Sequence, residues 1–189
     1  PLIMKRTQKL KWLCASLLLL SLSVTSYTQS LKDFFGSSET ATVYLGIDFT
    51  KARLINSPTA NPADIKGRLY RSINDVVVAE PKKFDLAGVF NKAGVSNDLT
   101  AVHAGNEKIN AEEIVSTKFE DFNRLKESDM ASILKALNIS NLKGVGILFV
   151  FEAMKSIEKG DDAAAVWTVL VDLQTKKVLL AERLEVKLH

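Results

Sequence analysis

Val145-Gly146-Ile147-Leu148-Phe149-Val150-Phe151 opens an extended, apolar run that reaches Ile157, and two more runs follow it, Ala163 to Leu173 and Lys177 to Leu188. Lys159-Gly160-Asp161-Asp162 and Gln174-Thr175-Lys176 separate them, short polar breaks of the kind that join neighbouring strands, so the last third reads as an antiparallel meander. At the centre of the first run both parities are apolar, Ile147, Phe149 and Phe151 against Leu148 and Val150. This predicts a central strand or one covered on both sides, with a partner as one source of the second cover. In the third run Val178, Leu180, Leu184, Val186 and Leu188 share one parity, interrupted at Glu182, while Lys177, Arg183, Glu185 and Lys187 share the other and predict a wet outer face.

Upstream, Val43, Leu45, Ile47 and Phe49 alternate with Tyr44, Gly46, Asp48 and Thr50, the pattern of a strand. Asn61-Pro62 then starts a helix, asparagine capping free N–H groups and proline taking the first helical position, and Ile65, Leu69, Ile73 and Val77 give it an apolar stripe. Pro81 ends that helix and begins another, with Phe84, Ala87 and Phe90 inward and Gly94 as its stop. Between Val95 and Glu127 the sequence suggests a short helix capped by Asp98 and a short strand at Glu113–Lys118. Ser128 caps a further helix, Asp129 to Asn138, that buries Ile133, Leu134 and Leu137. The order strand, helices, meander predicts an α+β fold with a mainly antiparallel sheet, one N-terminal strand plus the C-terminal three-stranded meander, and helices packed on one face.

The chain begins with a different kind of sequence. Lys5, Arg6, Lys9 and Lys11 precede an apolar stretch from Trp12 to Leu20 that fades through Ser21 to Val24, the pattern of an export signal. Met4 is the expected start, Pro1 to Ile3 are surplus, and the expected cut follows Thr28. The apolar stretch is about 13 residues against the ~20 needed to span a bilayer as a helix. The expected organisation is residues 1–28 as signal, 29–41 as a linker carrying Phe34-Phe35, and 42–189 as a single domain. Cys14 lies within the signal and is the one cysteine, so no disulfide or thiolate chemistry is expected afterwards. Without the four basic leader residues the formal charge falls from +3 to −1, with 21 basic against 22 acidic residues. That balance gives no basis for nucleic-acid binding or for an anionic membrane surface.

Material for catalysis is sparse. The two histidines are His103 and the terminal His189, and the adjacent pairs Glu112-Glu113, Glu120-Asp121 and Asp161-Asp162 lack metal-loop spacing, so neither a metal nor a cofactor is expected. Gly144-Val145-Gly146 enters a strand, the wrong context for a phosphate loop. The catalytic candidates are Asp48 at the end of the first strand, Lys51 close behind it, and His103, four residues before Glu107. Trp167, alternating with Val169 and Val171, is a core or interface ring, and with Leu148 and Val150 forms the candidate binding set.

The hairpin Ala165-Val166-Trp167-Thr168-Val169-Leu170-Val171-Asp172-Leu173-Gln174-Thr175-Lys176-Lys177-Val178-Leu179, with the helix-to-strand passage Ile133 to Phe151 before it, resembles TolB amino-terminal-like domains. These occur in penicillin-binding-protein activator lipoproteins and curli-secretion-type lipoproteins. The likeness covers the last third and, more loosely, Val43 to Phe49; Lys176 stands where that pattern has a turn glycine, and no lipoprotein cysteine follows the leader. Tyr44-Leu45-Gly46-Ile47-Asp48-Phe49 and Glu80-Pro81-Lys82-Lys83-Phe84-Asp85 are similar in style to small secreted envelope proteins of unassigned function. The resemblance implies a periplasmic or secreted, non-enzymatic module that binds an envelope protein or itself. The rival expectation is an envelope hydrolase or small-ligand-binding protein with a cleft near Asp48.

Overall fold

The computed structural model describes residues 31–157 and 162–188; the leader, its cut after Thr28 and His189 lie outside them. The described residues fall into two compact units, divided after Ser37. In the first, residues 31–36 are helical, and the rings of Phe34 and Phe35 meet edge-on at 5.1 Å. None of the described helices is long and apolar enough to cross a membrane.

The second unit is built on a seven-stranded sheet, β1 (Thr42–Asp48), β2 (Arg53–Ile55), β3 (Ser96–Asn97), β4 (Val115–Ser116), β5 (Val145–Lys155), β6 (Ala163–Asp172) and β7 (Lys177–Lys187). β1 and β2 follow one another along one edge of β5, both parallel to it, and carry β3 and β4, also parallel, on their outer edges. β6 and β7 continue antiparallel from the other edge of β5. The fold is α+β, but the expected mainly antiparallel sheet is corrected: the path β3-β1-β5-β2-β4 is parallel throughout, with the hairpin strands joined to it. The helix-bearing chain between β1 and β5 is long enough for a parallel crossover, and hydrophobic alternation reports which residues are buried without reporting strand direction.

Helices also cover both faces of the sheet, not one. The segments Pro62–Asp64, Ile65–Leu69 and Tyr70–Ala79 run on as one helix, α1; α2 is Leu86–Val89, α3 Thr100–Asn106 and α4 Glu127–Ala136. Val102 of α3 and Met130, Ile133 and Leu134 of α4 pack with Leu148, Val150, Trp167 and Val169. Ile65 and Tyr70 of α1 pack instead with Phe49 and Phe151, and the Phe49 and Tyr70 rings stack at 4.1 Å. The double cover anticipated for β5 thus comes from this chain's own helices.

Three single-residue bulges decide which side chains face which layer, because each extra residue reverses the alternation beyond it. In β1 the register slips between Tyr44 and Gly46, so Val43 and Leu45 face α3 and α4 while Ile47 and Phe49 face α1; the sequence had placed all four together. In β5 it slips between Phe151 and Ala153, leaving Glu152 fully buried. Glu152 accepts hydrogen bonds from Leu125 N (2.6 Å), Trp167 Nε1 (3.1 Å) and Arg183 Nε (2.8 Å), so the buried charge is paired and its oxygens are occupied. In β7, Leu170 opposes Leu180 but Val171 opposes Val178, which bulges Leu179. Beyond that bulge the expected faces are exchanged. Arg183 turns in to Glu152, and Leu184, Val186 and Leu188 stay 48%, 51% and 37% exposed.

A comparable slip occurs in α1. Ile65–Leu69 is a π turn, closed by the Tyr70 N–H on the Ile65 carbonyl, and its wider turn shifts the inward face by one position. Ile65, Tyr70 and Asn74 are buried, whereas Ile73, predicted for the stripe, is 42% exposed.

Asn74 and Asn106 finish the outer edge of β1. β3 pairs only with Val43 and Tyr44, which leaves the backbone of Ile47 and Phe49 without a strand on that edge. Asn74 Oδ1 accepts from Ile47 N at 2.6 Å, and its Nδ2 donates to Ile47 O at 3.0 Å. Asn106 repeats the device from α3, accepting from Phe49 N at 2.9 Å and donating to Ile47 O at 3.1 Å. Gly46 makes room for it: at φ +109°, a Cβ there would lie 2.9 Å from Asn74 Oδ1. Replacing Asn74 by alanine leaves the Ile47 N–H without its acceptor, while Asn106 still donates to the Ile47 carbonyl, and is expected to cost about 1–3 kcal/mol in a urea melt, against a change within ~0.5 kcal/mol for exposed Ser72→Ala.

Candidate functional site

A cleft of about 620 Å³ opens where β1 ends, between the loop that follows it, α3, α4 and the segment before α4. Its floor includes Ile109, Ile133 and Leu137, and its polar groups include Asp48, Lys51, Arg124 and Ser132. The site lies beyond the carboxyl end of a parallel strand, where sheet-end backbone and helix termini leave a natural crevice. α3 is brought to this wall by Asn106, and α4 by its apolar face of Met130, Ile133 and Leu134, with Asp129 Oδ2 accepting from Lys126 N at 2.8 Å at its start.

Asp48 forms one wall. Its Oδ1 accepts from Thr50 N at 2.7 Å and Thr50 Oγ1 at 2.5 Å, a local turn that fixes the carboxyl. The residue is 1% exposed, and burial raises its pKa above the usual carboxylate range, against the Thr50 hydrogen bonds and the Lys51 charge. Arg124 lines the same cleft. Its Nη2 donates to the Lys51 carbonyl, while its Nε is buried with no hydrogen-bond partner. Burial lowers its pKa, as does the neighbouring Arg53, while Asp121, Glu152 and Asp129 counter the shift. The cleft thus offers a carboxyl, a guanidinium and an apolar floor in one opening.

Of the residues singled out from sequence, Asp48 and Lys51 line this cleft together. His103 does not. It lies on α3 beside a shallower hollow with Arg71 and Glu107, its Nε2 3.5 Å from Asp75 Oδ1, and only its neighbour Ala104 reaches both hollows. Among the described residues no group of three His, Cys, Asp or Glu side chains is placed to hold a metal. Leu148 and Val150 have no exposed surface, and Trp167 is 7% exposed with its indole N–H on Glu152. Two residues escaped the sequence reading. Glu152 had a signal, a lone charge in an apolar strand that demands a partner; Arg124 had none, since an arginine between helical segments reads as solvated.

No protein-family model and no curated protein matches the chain. Among solved structures, the chain is similar to the LpoB C-terminal domain from Salmonella enterica, at 8% identity over 86% of this chain and 98% of that one, with a TM-score of 0.26. The likeness is weak.

The Asp48 environment makes stability depend on pH. With its pKa raised in the folded state, Asp48 favours folding least once pH has risen through that folded value, and the penalty disappears below the ordinary aspartate pKa of ~3.9, where both states are protonated. Asp48→Asn keeps the oxygen that Thr50 uses. It is expected to raise the urea midpoint at neutral pH and to lose that advantage as pH falls towards 3.9, in melts of both proteins across the range.

Proposed function

We propose that this chain is an exported, non-enzymatic protein-binding module of the bacterial cell envelope, and that it meets its partner with the open edge and outward face of β7. The observation that carries the reading is the row Leu184, Val186 and Leu188, exposed on a strand that pairs, among the described residues, with β6 alone. An exposed apolar row on a long unpaired edge is a surface soluble proteins ordinarily blunt, and strand addition offers both backbone hydrogen bonds and side-chain burial there. The basic and then apolar leader of the sequence supports export, and the described fold relies on packing for its stability. The candidate binding set Leu148, Val150 and Trp167 then supports the sheet from inside, and the contact passes to β7.

A photo-crosslinking residue at position 186, in cells exporting the chain, is expected to give a discrete protein adduct, whereas the same residue at exposed Lys82 gives none. Equal labelling at both positions, or none at either, would remove β7 as the contact.

The second reading, small-ligand binding in the Asp48 cleft, rests on the buried carboxyl and the unpartnered Arg124 Nε sharing one opening. A panel of amphiphilic anions is expected to raise the melting temperature of the wild-type chain and to leave Ala104→Trp, whose ring fills the opening, unmoved. An identical shift in both proteins would place binding elsewhere.

A further inference from the structure

We infer that the Asp48 cleft takes a single-chain aliphatic carboxylate, a fatty acid of medium length, with its head at Arg124, Lys51 and Lys108 and its tail in the trough between α3 and α4; the inference rests on the reading that this cleft binds a small ligand. Asp129, Ser132, Ile133 and Ala136 recur at helical spacing along α4, and Ala101, Ala104 and Gly105 do the same on α3, so each helix turns one stripe to the cleft. Both stripes consist largely of small side chains. The floor is apolar and closed: a Cβ on Gly105 would already touch Leu137 Cδ2 at 3.4 Å and Thr50 Cγ2 at 3.7 Å. From Asp129 to Ala136 the trough follows α4 for roughly 10 Å, at the helical rise of about 1.5 Å per residue. Its 620 Å³ falls within the ~300–1,000 Å³ usual for small-molecule sites. A slim apolar chain lies along such a trough without asking its walls for hydrogen bonds.

Charge sets the head group. The lining carries three cations, Lys51, Lys108 and Arg124, and two carboxyls, Asp48 and Asp129. The carboxyls are already engaged within the chain: Asp48 is buried with Oδ1 on Thr50, and Asp129 Oδ2 accepts from Lys126 N. The cations are not. Among the described residues none of the three forms an ion pair. Lys51 and Lys108 are exposed, and lysines bordering an apolar trough cover it with their stems while their ammonium groups stay in water. Arg124 is half-buried, and its Nη2 is spent on the Lys51 carbonyl. A partly desolvated guanidinium without a counter-ion favours an anion beside it, and its planar fork matches the two oxygens of a carboxylate. A phosphate monoester would bring about 1.5–2 negative charges next to Asp48 and Asp129, whereas a carboxylate brings one.

Titration calorimetry with dodecanoate, held below its micelle concentration, is expected to show one saturable site on the wild-type chain. Dodecanol and dodecylammonium, which keep the tail and change the head, and butyrate, which keeps the head and loses the tail, are each expected to bind at least about tenfold more weakly. Arg124→Gln is expected to weaken dodecanoate by about tenfold and to leave dodecanol unmoved, a split that a folding defect does not produce. Ala104→Trp, at an exposed position where the ring fills the opening, is expected to lose dodecanoate while melting like wild type. Dodecanol binding as tightly as dodecanoate, an Arg124→Gln chain with unchanged dodecanoate affinity, or dodecanoate binding that survives in Ala104→Trp overturns the proposal. The two levels separate cleanly. If dodecanoate does not bind but dodecyl phosphate or another amphiphilic anion binds wild type and not Ala104→Trp, the carboxylate is overturned and the cleft remains a ligand site. If no compound distinguishes wild type from Ala104→Trp, both fall.

Discussion

Everything on the outer side of the sheet depends on two side-chain amides bonded to one stretch of backbone. Ile47 and Phe49 lie on an edge that β3 is too short to cover, and buried peptide groups without partners are costly, so the edge must be closed by something other than a strand. Asn74 and Asn106 close it, one from α1 and one from α3. Because an amide both donates and accepts, each imitates the ladder of a missing strand while tying its helix to a fixed point on β1. The two helices then take opposite faces of the sheet, and the crevice at the carboxyl end of β1 is the space between α3, α4 and the loop after the strand.

The opposite edge follows a different logic. β6 and β7 extend the sheet beyond the reach of α1, whose packing cluster includes residues of β1, β2 and β5 but none of the hairpin. One face of the hairpin is covered, with Trp167, Val169 and Val171 in the core and Arg183 fastened to Glu152; the other face is left with its apolar row in solvent. Structural closure at β1 and openness at β7 give the domain one edge that is finished and one that invites addition. The cleft lies at the end of β1, and the open edge is that of β7.

Bulges account for most of what the sequence misplaced. Alternation reads correctly only up to the first inserted residue, and β1, β5 and β7 each contain one. The π turn in α1 does the same for a helix, replacing Leu69, Ile73 and Val77 as the inward stripe by Tyr70 and Asn74. None of these insertions is required by a local motif: the Gly46 conformation is suggestive, but Glu152 and Leu179 look like ordinary strand residues. Lys176 shows the converse, since it adopts the left-handed φ of +55° at the turn position where a glycine was missed, held by Asp172 accepting from Gln174 and Thr175.

Local chemistry in the sequence determined the three C-terminal strands and the turn between the last two, the helix that begins at Asn61-Pro62, the burial of Ile133, Leu134 and Leu137, and the placing of Asp48 with Lys51 near a strand end. Those features follow from periodicity, capping and chain proximity, which operate over a few residues. Tertiary structure alone decided that β1 and β2 lie parallel to β5, that helices cover both faces, that Arg124 reaches the Asp48 cleft while His103 does not, and that Leu184, Val186 and Leu188 face water. The reason is physical: strand direction, bulge position and the meeting of distant side chains are set by how whole layers pack, and the energy that selects them is spread over contacts between residues far apart in the chain.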